Sequence, residues 1–315
     1  MLSGRKLHQY LNIVSEAIDF FGVLPCSASG AALYLASQDI RRHELRSFLM
    51  ASLWNSLKRL VVNTPVEPVV RKMYSVVRAL FRTAKCYPLA RGYLAGKSGL
   101  EIGGPSFVFE SALPVYRHIQ FLDNCVFAEV THWEGARGAG ETFRFDSGKR
   151  TGNNFITEGA TLDGIGDGQY DVVLSSHCLE HIANPLKALK NWKRVLKAGG
   201  FLLLVLPDKH RTFDYRRPVT PLAHLVDDYA RNTGETDMSH VEEFVTLWNY
   251  RKYPIARSVD EHRLRYKDNY HKRLLHHHVF DLKSAVAMVS HSGFRILSSE
   301  RLRPNHLIVL AQKLD

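Results

Sequence analysis

Ten of the 16 histidines fall between residues 177 and 278, in company that suits proton chemistry. His177 and His181 lie in Ser176-His177-Cys178-Leu179-Glu180-His181, and a second group forms the run His276-His277-His278. An imidazole titrates near neutrality, so it can take the proton of a hydroxyl at physiological pH. His177, His181, His277 and His278 are the candidate general bases. Two other uses stay open. Some of these rings are structural, as His181 would be if it held a helix start, and others could ligate a metal with Asp208, Asp214 or Asp281. The only HxxxH spacing on one local element is His177 and His181, and that pair spans a strand-to-helix turn, which is poor metal-site spacing. Arg216 and Arg217, in Thr212-Phe213-Asp214-Tyr215-Arg216-Arg217-Pro218, suit an anionic acceptor or a salt-bridged lid equally.

A second set suits cofactor binding. Leu100-Glu101-Ile102 reads as a strand that runs into Gly103-Gly104-Pro105. Glycine directly after a strand lets the backbone turn sharply and approach a ligand without a Cβ in the way. Asp123 follows Glu101 by 22 residues, after the apolar run His118–Leu122. A carboxylate at that spacing can accept hydrogen bonds from both ribose hydroxyls, and its plainer use is as a strand-end cap.

The elements that must position these residues begin near residue 99. Strands are expected at Leu100–Ile102, His118–Leu122, Tyr170–Ser175, Phe201–Leu206, Phe294–Ser298 and His306–Ala311, and helices at Pro185–Leu196 and Leu282–Ser292. Short apolar strands alternating with helices indicate an α/β fold with a parallel sheet. About 75 residues after Pro207, to Asp281, have little strand character and are rich in His, Arg, Asp and Tyr. An insertion of that size after a sheet strand usually covers an active site.

Between 169 and 207 the chain reads Tyr170-Asp171-Val172-Val173, then Leu179-Glu180-His181, then Arg194-Val195-Leu196-Lys197-Ala198-Gly199-Gly200, then Leu202-Leu203-Leu204-Val205-Leu206-Pro207. This ordered series resembles class I S-adenosylmethionine-dependent methyltransferases of the methyltransferase type 11 kind, over residues 99–207 and more loosely over the last two strands. The resemblance implies a Rossmann-like, doubly wound sheet of about seven strands, with the large insertion at 208–281 after the fifth. It implies S-adenosylmethionine as cofactor, with Glu101, Gly103 and Gly104 beside its methionine part and Asp123 on the ribose. Ser176 and His177 would line the floor under the sulfonium, and Glu158, with Asp163 as rival, would face the adenine. Pro105 stands where the family has its next glycine. Proline has a fixed φ and no N–H, so the turn is expected to be shifted.

Composition and charge bound the rest. A 45% hydrophobic and 23% charged composition is that of a globular protein with a core. Four scattered cysteines without a CxxC pair give neither a disulfide framework nor a zinc cluster, which favours a reducing cytoplasm. The N-terminus is a poor signal peptide, because Glu16 interrupts it before a long apolar core. Phe20–Gln38 carries no charge over 19 residues, but Pro25 and its small polar residues favour a buried helical hairpin over a membrane span. Residues 1–98 hold 14 basic and 5 acidic residues, against 28 and 26 in 99–315. Residues 1–95 are therefore read as a basic helical extension, distinct from a catalytic domain at 96–315. Its amphipathic stretch Val66–Ala84 suits an anionic membrane surface, a partner enzyme, or plain docking on the domain.

The expected activity is O-methylation of a glycan, a lipid-linked sugar or another small hydroxylated metabolite. The alternatives are N-methylation, RNA methylation, and a non-catalytic cofactor-binding regulator. A nucleic-acid acceptor is disfavoured by the near-neutral catalytic part. No metal is expected in the reaction, because displacement at a sulfonium carbon needs no Lewis acid.

Overall fold

The computed structural model describes residues 83–314, except 132–134, 137, 254 and 257. The hairpin expected at Phe20–Gln38, and nearly all of the amphipathic stretch Val66–Ala84, lie outside the described residues. The strands are β1 (Ser98–Ile102), β2 (Phe121–Val126), β3 (Val130–Thr131), β4 (Gly135–Ala136), β5 (Gly140–Phe143), β6 (Gly152–Ile156), β7 (Tyr170–Ser176), β8 (Leu196–Pro207), β9 (Phe294–Leu302) and β10 (His306–Lys313). The helices are α1 (Tyr87–Leu94), α2 (Phe107–Glu110), α3 (Pro185–Val195), α4 (Leu222–Ala230), α5 (Val241–Leu247), α6 (Val259–Leu264), α7 (Asn269–Lys272) and α8 (Leu282–His291).

Eight strands form one sheet in the order β5-β6-β2-β1-β7-β8-β10-β9, and β3 pairs with β4 in a separate ribbon. The strands from β6 to β8 run parallel, while β10 is antiparallel to both of its neighbours and β5 to β6. The chain moves outward from β1 to β2 and β6, then crosses back to β7. The order reverses between β1 and β7, and the crevice beyond their carboxyl ends is where such sheets bind ligands.

Burial on both faces explains the uninterrupted apolar runs. In β8 every residue from Phe201 to Pro207 is buried. One core layer includes Trp192, Leu204 and Met288, and the other includes Phe109, Leu113 and Leu203. Helix α3 starts where Asn184 caps the Lys187 N–H, with Pro185 in its first turn, and it buries Leu186, Leu189, Trp192 and Val195 against the sheet. The Trp192 indole N–H reaches the Gly159 carbonyl at 2.7 Å, which ties α3 to the loop after β6. Helix α8 opens on a capping box between Asp281 and Ser284.

Three features differ from expectation. The second strand starts at Phe121, because the His118 and Ile119 N–H groups turn back to the Val115 carbonyl before pairing with β1 begins. Asp123 therefore sits inside β2, opposite Leu100, instead of at the strand's end. The sheet has an eighth strand, β5, added antiparallel at one edge. Residues 87–94, read as part of the extension, form α1, whose Ala90 and Leu94 belong to the domain's core.

The insertion at 208–281 holds α4 to α7 and short 3-10 turns, with no strand among the described residues. It carries a small core of its own, in which Phe244, Trp248 and Tyr266 pack with Val245 and Leu275. Among the described residues no helix is long and apolar enough to cross a membrane.

Candidate active site

The turn after β1 is a cradle that only glycine fits. Gly103 has φ +77°, and a Cβ on Gly104 would collide with the Glu101 carboxyl group. Glu101 is fully buried beneath the turn. One of its oxygens accepts from the Ser106 N–H and hydroxyl, and the other accepts from the Tyr116 hydroxyl at 2.6 Å. The Gly104 N–H donates to the Asn124 side chain, which in turn donates to Asn154. Neighbouring side chains thus hold the backbone open.

At the carboxyl end of β7 the chain makes a second sharp turn. His177 has φ +51°, a left-handed conformation that is uncommon outside glycine and marks functional turns. Its Nε2 lies 2.7 Å from His306 Nδ1, and its Nδ1 lies 3.7 Å from Glu180 Oε1. Glu180 and His181 follow in a 3-10 turn, Leu179–His181. Glu180 is fully buried, and neither carboxylate oxygen has a hydrogen bond. Burial pushes its carboxyl up to about 7, and the nearby His276 offsets this only in part. Burial lowers His177 to about 4 and takes His181 well below the usual histidine range.

The insertion supplies the opposite wall. The returning segment docks on the turn through the His277 N–H, which donates to the Glu180 carbonyl. His276 turns toward the same turn, its ring 4.6 Å from that of His181. Its Nδ1 is 2.6 Å from Asp214 Oδ2. Burial alone would raise Asp214, but His276 and Arg217 outweigh it and hold the carboxyl below its ordinary value. Arg217 is itself buried, and donates to Asp214, Glu243 and the His276 and His277 carbonyls. One atom each of Glu180, His181 and His276 lie within 4.8 Å of one another. Such a cluster can pass a proton or hold a cation. A surface groove of about 270 Å³ between α3, α4 and α8, lined by Leu186, Lys190, Lys193, Tyr229, His291 and Ser292, carries none of these groups.

A model of the methyltransferase domain family matches residues 90–299. The chain belongs to this family. Class I enzymes of this kind take their methyl group from S-adenosylmethionine, and the glycine cradle beyond β1 fits that cofactor. No curated protein matches the chain by sequence. Among solved structures it is similar to an S-adenosylmethionine-dependent methyltransferase from Methanosarcina mazei, at 16% identity and TM-score 0.41, over 72% of this chain and 98% of that one. Another from Mesorhizobium loti shows 15% identity and TM-score 0.42, over 73% and 98%. A Burkholderia thailandensis 1,6-didemethyltoxoflavin-N1-methyltransferase with bound S-adenosylhomocysteine shows 12% identity and TM-score 0.39, over 88% and 92%.

In this methyltransferase the residues singled out by sequence fall into two sets. Gly103, Gly104, Ser176 and His177 gather at the switch between β1 and β7, with Glu101 buried beneath. Glu158 follows β6 and is engaged by the insertion, where Arg273 bridges it to Glu235 at 2.6 and 2.7 Å. The Arg273 guanidinium also lies 5.0 Å over the Phe127 ring, just past β2. The other set is placed elsewhere. Asp123 accepts from the Asn153 N–H and the Tyr170 hydroxyl, so its carboxylate clamps β2 between β6 and β7. Asp163 is exposed and accepts from Thr161, closing its own turn. His277 and His278 are buried and face away from the turn, His277 toward Asp237 and Asn269, His278 toward Ala183 and Asp228. Of the run, His276 is the residue whose ring meets that of His181. Arg217 is a buried structural linchpin, salt-bridged to Asp214 and Glu243. Glu180, His276 and Arg273 have no individual role in the sequence reading, and Asp214 appears there only as a possible metal ligand. The signal available for Glu180 was its place between two histidines.

Proposed function

We propose that this chain is an S-adenosylmethionine-dependent O-methyltransferase acting on a hydroxylated glycan, lipid-linked sugar or small metabolite. One observation carries the reading: a buried carboxylate without hydrogen bonds, Glu180, stands beside three imidazoles at the end of β7. A hydroxyl acceptor must lose a proton as it attacks, and this cluster is a place to put it. The cofactor supplies an electrophilic methyl group. The Gly103–Gly104 cradle takes its methionine part, and Phe127 and Glu158 flank the adenine side. The ribose role assigned to Asp123 passes to Glu129, the first carboxylate beyond the end of β2, which is exposed.

His177 meets the acceptor hydroxyl and Glu180 is the proton's destination. A carboxyl at about 7 outcompetes an imidazole at about 4, so a proton taken by His177 moves on to Glu180. The Asp214–His276 pair fixes the far side of the cluster. The chemistry asks for alignment and proton removal, and no metal takes part in it. The excess of 14 basic over 5 acidic residues in 1–98 supports recruitment to an anionic membrane surface or an acidic partner enzyme.

A labelled-methyl screen over sugars, lipid-linked sugars, small amines and transfer RNA tests the reading. Methyl ethers formed by wild type, and strongly reduced in Glu180→Gln, are expected. Label appearing only on nitrogen or on RNA would overturn it.

A further inference from the structure

Beside the catalytic turn, the insertion holds a second cluster that the methyl-transfer chemistry does not use. His224 comes from α4, His240 directly precedes α5, and His278 lies in the segment that returns to the fold. One ring nitrogen from each of the three lies within 4.8 Å of the others. His224 Nε2 and His240 Nε2 are 3.2 Å apart. Asp228, one helical turn after His224, brings Oδ2 to 3.3 Å from His224 Nε2 and 3.6 Å from His278 Nε2. Four imidazole and carboxylate groups from three separate elements therefore converge on one point.

The polar atoms there are poorly satisfied by the protein alone. Asp228 Oδ2 is buried and accepts no hydrogen bond. His278 is almost fully buried, and its Nε2 lies 3.1 Å from the Ala183 carbonyl. A carbonyl only accepts, so that nitrogen carries the hydrogen and Nδ1 keeps the lone pair. Nδ1 is buried and has no hydrogen bond. The backbone carbonyl on the far nitrogen is the arrangement that fixes the tautomer of a metal-bound histidine.

We propose that His224, His240 and His278 bind one divalent transition-metal ion of the zinc type, with the Asp228 carboxylate beside it. Imidazole nitrogens bind zinc at about 2.0–2.1 Å in tetrahedral sites, which sets ligand atoms roughly 3.3 Å apart. The 3.2 and 3.3 Å separations match that edge. In the cluster of Glu180, His181 and His276 the separation between Glu180 Oε1 and His181 Nε2 is wider, at 3.9 Å. His224 keeps a partly exposed side chain, which gives the ion a way in. The metal's role is positioning. It joins α4, the start of α5 and the returning segment, and through His278 it reaches Ala183, just past the catalytic turn. It thereby fixes the wall that carries His276.

The test uses the full-length protein, stripped with chelator and then titrated with zinc alone. Wild type should take up about one zinc per chain and gain thermal stability. With cobalt in place of zinc it should show the intense visible absorption of a tetrahedral site. The double variant His224→Ala/His240→Ala should bind zinc at least about tenfold more weakly, whereas Glu180→Gln and the surface control His271→Ala should bind as wild type does. Binding of S-adenosylhomocysteine checks that each variant is folded; if the double variant fails that check, the wild-type cobalt spectrum decides. No uptake at micromolar zinc, an octahedral cobalt spectrum, or zinc lost in Glu180→Gln but kept in the double variant would overturn the assignment.

Discussion

The crevice holds two buried carboxylates, Glu101 and Glu180, that are satisfied in opposite ways. On the cofactor side, beneath the ends of β1 and β2, the buried acids are fully engaged: Glu101 by Ser106 and Tyr116, Asp123 by Asn153 and Tyr170. On the acceptor side, Glu180 has no hydrogen bond on either oxygen, and Asp228 Oδ2 and His278 Nδ1 are likewise unmet. A buried carboxylate with all its bonds made is scaffold, and its charge is unavailable for anything else. A buried carboxylate with none costs folding free energy, and it is worth keeping where a proton or an ion must be received. Exposure does not separate the two, since Glu101 and Glu180 are equally buried.

The largest effect that would break this contrast is on turnover. Glu180→Gln and His177→Ala should each lower kcat by about 10²–10⁴-fold, with S-adenosylhomocysteine affinity within a few-fold of wild type. Single-turnover kinetics beside calorimetry separates the two, and near-normal turnover in Glu180→Gln would place Glu180 with Glu101 as scaffold. Next comes Arg217→Ala. It strips a buried guanidinium from Asp214 and from two carbonyls of the return segment, which should cost about 3–5 kcal/mol by denaturant titration. A cost below about 1 kcal/mol would mean that the insertion does not depend on that centre.

A smaller pair of changes sharpens the cofactor side. Asp123→Asn weakens a clamp within the sheet, so about 1.5–3 kcal/mol of folding stability should go while cofactor affinity holds. Glu129→Gln should do the reverse, with affinity falling by a comparable amount and stability unchanged. Calorimetry and denaturation on both variants decide it, and an exchanged pattern would return the ribose role to Asp123.

The smallest effect is a slope with pH. The folded-state carboxyl of Glu180 lies at about 7, above its ordinary 4.5, so the native state binds more protons than the unfolded state between those values. Its contribution to stability is present below about pH 4.5 and is lost as pH rises toward 7. His177, His181, His276 and Asp214 face it; burial raises the carboxyl most, His276 lowers it and Asp214 raises it. Wild type should therefore lose stability relative to Glu180→Gln across that window, while its turnover rises through about pH 7. Parallel stability profiles for the two proteins would count against the raised carboxyl.

Much of this was written in the sequence. Apolar runs bounded by glycine, the capping residues Asn184 and Asp281, and the glycine turn after Ile102 are local features, because propensity, capping and backbone freedom act over a few residues. They set the order of most strands and helices, the family and the cofactor cradle. The position of Asp123 was less legible, because spacing measures distance along the chain. Whether a residue sits within or beyond a strand depends on where pairing with β1 begins, and that is decided by the turn at Val115–Ile119. The acceptor side was legible only as a concentration of histidines. Which of them face one another depends on how 74 residues of short helices fold back over the sheet, with His276, His277 and His278 pointing three ways from consecutive positions. Burial of Glu180 between those walls is what raises its pKa, and burial by remote segments is a property of tertiary structure alone.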